Sequence, residues 1–389
     1  MGRTSSLLRA TASMAAAGIL LAACASTPQT GAEPAGLWQD APFFASAGDD
    51  PAVTRQSLYA LPPELRARLA AQVQATPGRR DKLRILLATV YGPDGVQAFR
   101  YRAGHSTVAA DTWREARGDC LSLTVLAYAV ARALDMPAQM QEVDGPWLFD
   151  RQGQMDFVNS HVNLLLPGAL KEPLDTQAHD IAIDFEPDMA SRRRGRPLDE
   201  NEVLARYFNN VAVQAFAAGE RKRAYAHFRA AARAQPGYAA VYANLAALLR
   251  ADGHEAAAEA SLRHALALAP DSWVALQGLH ALVLAQGRVE EAAALAKAIA
   301  ARQALDPDYW IGRGREALLA DQPQAAVRAL ERAREISIGH DELHRLLAVA
   351  YGRVGDGVRA DAELRTLVEM GLAQEQIGLL RRKIQSFLR

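Results

Sequence analysis

At 389 residues the chain is too long for one compact core, and with half of its residues apolar it is not a mostly disordered polypeptide. Lys plus Arg and Asp plus Glu both number 44, so no overall field steers it to nucleic acid or to anionic lipid. The basic residues are nearly all Arg, which with the abundant Ala reads as a compositional habit rather than a function.

The first segment carries Arg3 and Arg9 ahead of the apolar run ATASMAAAGILLAA, and small residues lead up to Cys24. That is the plan of a secretory signal peptide, and the run is too short to span a bilayer. Leu21 to Cys24, LAAC, resembles the lipobox of bacterial lipoproteins. The resemblance implies a signal peptide over 1–23, lipid on Cys24 as the first mature residue and, with Ala25 rather than Asp next, the periplasmic face of the outer membrane. The opening MGRTSS also fits a myristoylation pattern at Gly2, but the apolar run with its lipobox accounts for more residues. With Cys24 lipidated, Cys120 is the one thiol left in an oxidising compartment, so neither an internal disulfide nor a Cys-rich metal site is available. Such a thiol is a reactive nucleophile, an intermolecular partner or a buried small hydrophobe.

Residues 24–50 are rich in Ala, Pro, Gly, Ser and Thr without periodicity and read as a flexible tether. A folded domain is expected over 51–198. PPELRARLAAQV from Pro62 has Pro at a helix start and an apolar face of Leu65, Leu69 and Val73. DKLRILLATVYG from Asp81 gives a second helix stopped by Gly92 and Pro93, and TVAADTWREA suggests a third. A long apolar helix follows from Cys120 to Leu134. From Met136 the period changes: AQMQEV, FVNSHVNLLL and IAIDFEP read as strands, giving an α+β domain. RRRGRP, Arg192 to Pro197, reads as a solvated linker rather than a nucleic-acid patch.

After Asn201 the strand signal ends and the sequence repeats itself every 34 residues. Gly219, Gly253, Gly287, Asp321 and Gly355 form one series; Ala224, Ala258, Ala292, Ala326 and Ala360 form another. Phe228, Leu262, Ala296, Leu330 and Leu364 keep the same register, as do Ala231, Ala265, Ile299, Ala333 and Leu367. The period and the small residues match the tetratricopeptide repeat, a helix-turn-helix unit, which predicts five repeats over 201–373 and a capping helix over 374–389. The third and fourth units depart from the pattern, with His280 at a usually small position, Arg313 at a usually apolar one and no closing Pro.

The chemistry centres on Cys120. Gly118 permits a tight turn, Asp119 is a favoured N-cap, and the thiol sits on a first helical turn, where backbone N–H groups and the positive dipole end favour thiolate. The Asp119 charge works against that, so a histidine must compensate. Alternation in VNSHVNLLL puts Asn159, His161 and Asn163 on one face, placing His161 towards solvent or substrate. Asp184, an acid in the apolar run IAIDFEP, demands a partner and suits a group that orients the imidazole. Trp113 and Trp147 are candidates to wall a cleft, though core packing is the plainer reading of each. His340 and His344, one turn apart, read as solvated residues rather than a metal site, and nothing resembles a phosphate loop.

The order of these features, from Gly-x-Cys opening an apolar helix, through RALDMPA closing it, to a strand His and then an Asp, resembles the transglutaminase-like superfamily of papain-like fold. The resemblance covers about Ala109 to Pro187, and CLSL is similar to a bacterial branch fused to tetratricopeptide repeats. It implies Cys120 as nucleophile, His161 as base and acid, and Asp184 as its orienter, with no cofactor. The sequence departs from many members at Val162, where they carry an aromatic residue, and no side-chain oxyanion donor is assignable; the Cys120 N–H is one donor. The function so implied is a lipid-anchored envelope enzyme acting on amides, either a protease or amidase, peptidoglycan crosspeptides included, or an acyl transferase. Its repeats would bind a protein or peptide in their groove. The alternative is a non-catalytic repeat scaffold for envelope complexes.

Overall fold

The computed structural model of the chain describes residues 37–38, 51–75, 78–92, 99–152, 155–170, 179–185, 195–336, 341–372 and 374–388. Gly2, the signal segment, Cys24, most of the tether, Arg192 to Arg194 and His340 lie outside these residues, as do the side chains of Trp147 and His179.

The N-terminal part begins with α1 (Arg55–Leu58), α2 (Pro63–Ala75) and α3 (Arg79–Tyr91). Thr54 caps α1 in a reciprocal box with Ser57, α2 starts on a proline and buries Leu65 and Leu69, and α3 stops at Gly92, whose φ of 86° no β-carbon-bearing residue adopts easily. Next come β1 (Arg100–Tyr101), α4 (Ala109–Glu115), β2 (Arg117–Gly118) and α5 (Cys120–Ala133), with β1 and β2 paired in parallel. Helix α5 is apolar on nearly every side and is correspondingly buried, from Leu121 through Ala131. It packs beside a sheet of order β5-β4-β3-β6, made of β3 (Gln139–Gln152), β4 (Met155–Leu170), β5 (His179–Ile183) and β6 (Arg196–Pro197), all antiparallel.

In this sheet Met140, Leu164 and Ile183 stand opposite one another across three strands, and all three belong to the apolar core. The intervening positions are polar but equally covered: Gln141 is 1 % exposed, Asn163 0 % and His161 3 %. Of the two expectations for His161, solvent or substrate, the first does not hold, since the ring is covered. Alternation identifies the face correctly, but burial is a property of what packs on it. Asp184 is the first residue beyond β5 rather than within a strand. Of RRRGRP, Arg196 and Pro197 are exposed but paired with β3 as β6 rather than free linker, and Leu198 N–H donates to the Met140 carbonyl at 2.9 Å.

The second region is built of helices alone: α6 (Glu200–Ala217), α7 (Arg221–Ala234), α8 (Ala239–Ala251), α9 (Glu255–Leu268), α10 (Trp273–Ala285), α11 (Val289–Gln303), α12 (Pro307–Leu319), α13 (Pro323–Ile336), α14 (Asp341–Arg353), α15 (Gly357–Glu369) and the closing α16 (Gln374–Leu388). Consecutive helices form five antiparallel pairs, the tetratricopeptide architecture. Gly219, Gly253, Gly287 and Gly355 turn each pair with φ between 73° and 82°, and Asp321 takes the same left-handed region at 55°. The alanine series is fully or almost fully buried, as close helix approach requires. Ile377 and Ile384 of α16 close the end of the stack.

The apolar interior is divided. One cluster runs from the N-terminal helices through the sheet to Ala292 in α11; another starts at Ile311 in α12 and ends at Ile384. The division falls between the third and fourth units, the two whose sequences depart from the repeat pattern, and α11 buries only Ala292. Two residues of the tether segment also join the folded part: Leu37 is buried, and Trp38 packs on Tyr225 and Tyr242 with ring centres 5.7 and 6.3 Å apart.

Candidate active site

Cys120 occupies the first position of α5, and the turn before it is built around Asp119. One carboxylate oxygen of Asp119 accepts the Ser122 N–H at 2.8 Å and the Ser122 hydroxyl at 2.7 Å; the other accepts the Ser106 hydroxyl. This is an N-cap extended by two serines, and it binds the 105–107 loop to the helix start, where Thr107 N–H donates to Ser122 Oγ at 2.9 Å. Gly118 is required for closeness, since a β-carbon there would meet Ser122 Cβ at 2.7 Å. Hydrogen bonds from His105 and Arg117 hold the nearby Glu115 carboxyl below the usual range. Cys120 itself is 7 % exposed and lies outside the apolar cluster.

One turn along α5, the Thr124 hydroxyl donates to the carbonyl of Val162 at 3.2 Å. Val162 follows His161 directly, so this bond sets the start of α5 alongside the middle of β4; Cys120 lies about 6 Å back along the helix axis from Thr124. On β4, His161 Nε2 is 2.8 Å from both oxygens of Asp184, and the two side chains are 1 % and 4 % exposed. A carboxylate only accepts, so Nε2 carries the proton in that contact. The other ring nitrogen, Nδ1, is buried and has no hydrogen-bond partner among the described residues.

The Asp184 carboxylate is held further. Asn163 Nδ2 donates to its Oδ2 at 3.1 Å, Gln141 Nε2 donates to Asn163 Oδ1 at 2.9 Å, and Gly195 N–H donates to Gln141 Oε1 at 3.0 Å. From α3, the Tyr91 hydroxyl donates to the Asp184 backbone carbonyl at 2.9 Å while its ring stacks on Phe185. Burial, then the Asp184 charge, push the Tyr91 hydroxyl up to about 12.

Of the expected site residues, His161 and Asp184 are in direct contact, and Cys120 lies on the helix that Thr124 ties to the same strand. Trp113 packs on Phe99, with Arg68 over its ring, and is a core residue of the α4 region. Gln141, Asn163, Tyr91, Ser106 and Ser122 do not stand out in the sequence as site residues. Gln141 and Asn163 carry a faint signal, polar residues inside strands whose neighbours are apolar, but their partnership depends on strand register. Among the described residues no group of His, Cys, Asp and Glu is arranged to hold a metal ion.

No family model matches the chain, and no curated protein matches it significantly. Among solved structures it is similar to MamA from residue 41 onwards of Desulfovibrio magneticus RS-1, at 18 % identity over 42 % of this chain and 93 % of that one, with a TM-score of 0.25. It is also similar to PilF of Pseudomonas aeruginosa, at 16 % identity over 49 % of this chain and 90 % of that one, with a TM-score of 0.27. A thermophilic tetratricopeptide protein of Thermus thermophilus matches at 19 % identity over 47 % of this chain and 98 % of its own, with a TM-score of 0.25.

Proposed function

We propose that the chain is an adaptor that binds a protein or peptide through its repeats. The observation that carries this reading is a cavity of about 390 Å³ between α10, the end of α11, α12 and α14, bordered by Trp273, Arg302, Tyr309, Arg313, Arg315 and Glu342. Aromatic faces beside paired charges suit an extended peptide, whose backbone and side chains need both. Selection of peptides from a display library on the intact chain tests it. Selected peptides should lose at least about tenfold in affinity on Trp273→Ala with Tyr309→Ala; peptides that bind this variant as well as the parent would remove the cavity from the account.

A second reading is favoured by the buried imidazole of His161, one nitrogen on Asp184 and the other unengaged among the described residues. In it the N-terminal domain is transglutaminase-like and acts on amides through Cys120, His161 and Asp184. The thiolate attacks an amide carbonyl to form a tetrahedral intermediate, the Cys120 N–H supports the oxyanion, and the imidazolium protonates the leaving amine. Water or a second amine then resolves the thioester. The low exposure of Cys120 is why this reading stands second. Iodoacetamide alkylation against pH, in protein without residues 1–24, decides it. Fast reaction below about pH 8.5 that slows in His161→Ala and Asp184→Asn supports a paired thiolate. Equal, ordinary reactivity in all three leaves the adaptor alone.

The LAAC motif supports export and lipid on Cys24, and Ala25 in place of Asp after it supports the periplasmic face of the outer membrane as the address. Labelling with a radioactive fatty acid, lost in Cys24→Ser, is the expected result; label retained in that variant and lost in Gly2→Ala would instead point to myristoylation.

A further inference from the structure

The hydrogen bonds behind His161 have a direction that their two ends impose. Gly195 N–H can only donate, so the atom of Gln141 facing it is the acceptor oxygen, which turns the Gln141 NH2 towards Asn163. Asn163 must then face Gln141 with its oxygen, which turns its own NH2 onto Asp184. At the far end, the Asp184 carboxylate can only accept, from Asn163 and from His161 Nε2. Both ends demand the same orientation of both amides, so neither amide can flip without losing a bond at each side. Gln141 and Asn163 are 1 % and 0 % exposed, so water does not supply a substitute cheaply.

The Gly195 end is equally constrained. A β-carbon on Gly195 would stand 2.1 Å from the Glu142 carbonyl oxygen and 2.8 Å from its carbon, so the close pass over β3 is open to glycine only. Immediately beyond, Arg196 bridges Glu142 and Glu202, and Glu142 also takes Arg206 of α6 at 2.7 Å. The segment that enters the repeats is thus bound to the same strand that carries Gln141.

We propose that Gln141 and Asn163 are positioning residues for His161, holding the ring with its proton on Nε2 and Nδ1 available, and that Gly195 fastens this chain of bonds to the entry of the solenoid. The proposal rests on the thiol reading of the site for its use, since an Nδ1 lone pair is what a neighbouring thiol requires of its base.

The test is ¹⁵N NMR of the His161 ring in the full chain labelled at histidine. In a Cys120→Ala background, which leaves no thiol to charge the ring, and at a pH where the ring is neutral, the proton should sit on Nε2. Gln141→Leu removes the link and should raise the share of the Nδ1-protonated form about tenfold, the scale of one lost charge-supported bond. Gln141→Glu keeps the size but accepts at both ends, so Asn163 must present its oxygen to Asp184, and the shift should exceed that of Leu. Glu142→Gln, which loosens the Arg196 and Arg206 pairs outside the chain of bonds, should leave the ring unchanged. Folded Gln141→Leu and Gln141→Glu proteins with the parent's His161 spectrum would overturn the proposal. Shifts as expected, together with ordinary alkylation of Cys120, would uphold the positioning role while removing the thiol reading.

Discussion

The sheet region and the solenoid are held by different means. In the solenoid helices meet partners one or two helices away, and small residues at fixed spacing let them approach; the contacts are mostly apolar, repeated and local, with single buried polar pairs such as Asn209–Asn244 and His344–Glu363 among them. In the sheet region a row of buried polar side chains runs from Gln141 on β3 through Asn163 on β4 to Asp184, just past β5, and ends on His161. A repeat interior can take a poor unit as one looser joint, and here its two apolar clusters part at units three and four. A buried polar row has no such slack, because each member is the partner of the next.

That contrast is breakable. Leu330 is fully buried in the second cluster, and Leu330→Ala should cost about 2–5 kcal/mol. The loss should be confined to the urea transition of the last two units, followed through Trp310, with the first cluster unmoved; transitions that shift together would make the two clusters one cooperative body. Asn163→Leu should cost about 1–3 kcal/mol in the first cluster, because Gln141 and Asp184 each lose a bond at once. A thermal melt unchanged within error would show the polar row to be incidental.

Gly314→Ala sharpens the comparison from the other side. The added β-carbon would lie 2.4 Å from Leu330 Cγ, an overpacking of about 1–3 kcal/mol, and it should largely vanish in a Leu330→Ala background. Additive losses would place the strain elsewhere. The smallest effect is at Tyr91. Its hydroxyl is pushed up to about 12, so the folded chain keeps a proton that the unfolded chain gives up near pH 10. Stability is whole below pH 10 and falls as pH rises towards 12. Tyr91→Phe should lose about 1 kcal/mol at pH 7 with its bond to the Asp184 carbonyl, and lose less than the parent above pH 10. Parallel pH curves for the two proteins would mean that Tyr91 does not titrate in this window.

Much of the fold is legible in particular residues. The helix over Leu121 to Leu134 follows from almost wholly apolar sequence behind an Asp cap, and the 34-residue steps from Gly219 and Ala224 set the number, the turns and the contact faces of the helix pairs. The break at units three and four is also visible, at His280 and Arg313, although not its consequence for the core. The site is less legible. Asp184 stands out as an acid among apolar residues, but Gln141 looks like any strand glutamine, and RRRGRP looks like a linker because its pairing with β3 lies 54 residues away in sequence.

The repeat solenoid, the capped helix that begins at Cys120 and the strand carrying His161 are thus written in the chain itself, because each depends on period, cap and local composition. The covering of the His161 face, the extension of the Asp184 contact through Asn163 and Gln141, and the end of that row at Gly195 arise only when the chain is folded. They follow from strand register and from which surfaces pack together, and contacts between residues far apart in the chain leave no periodic trace in it.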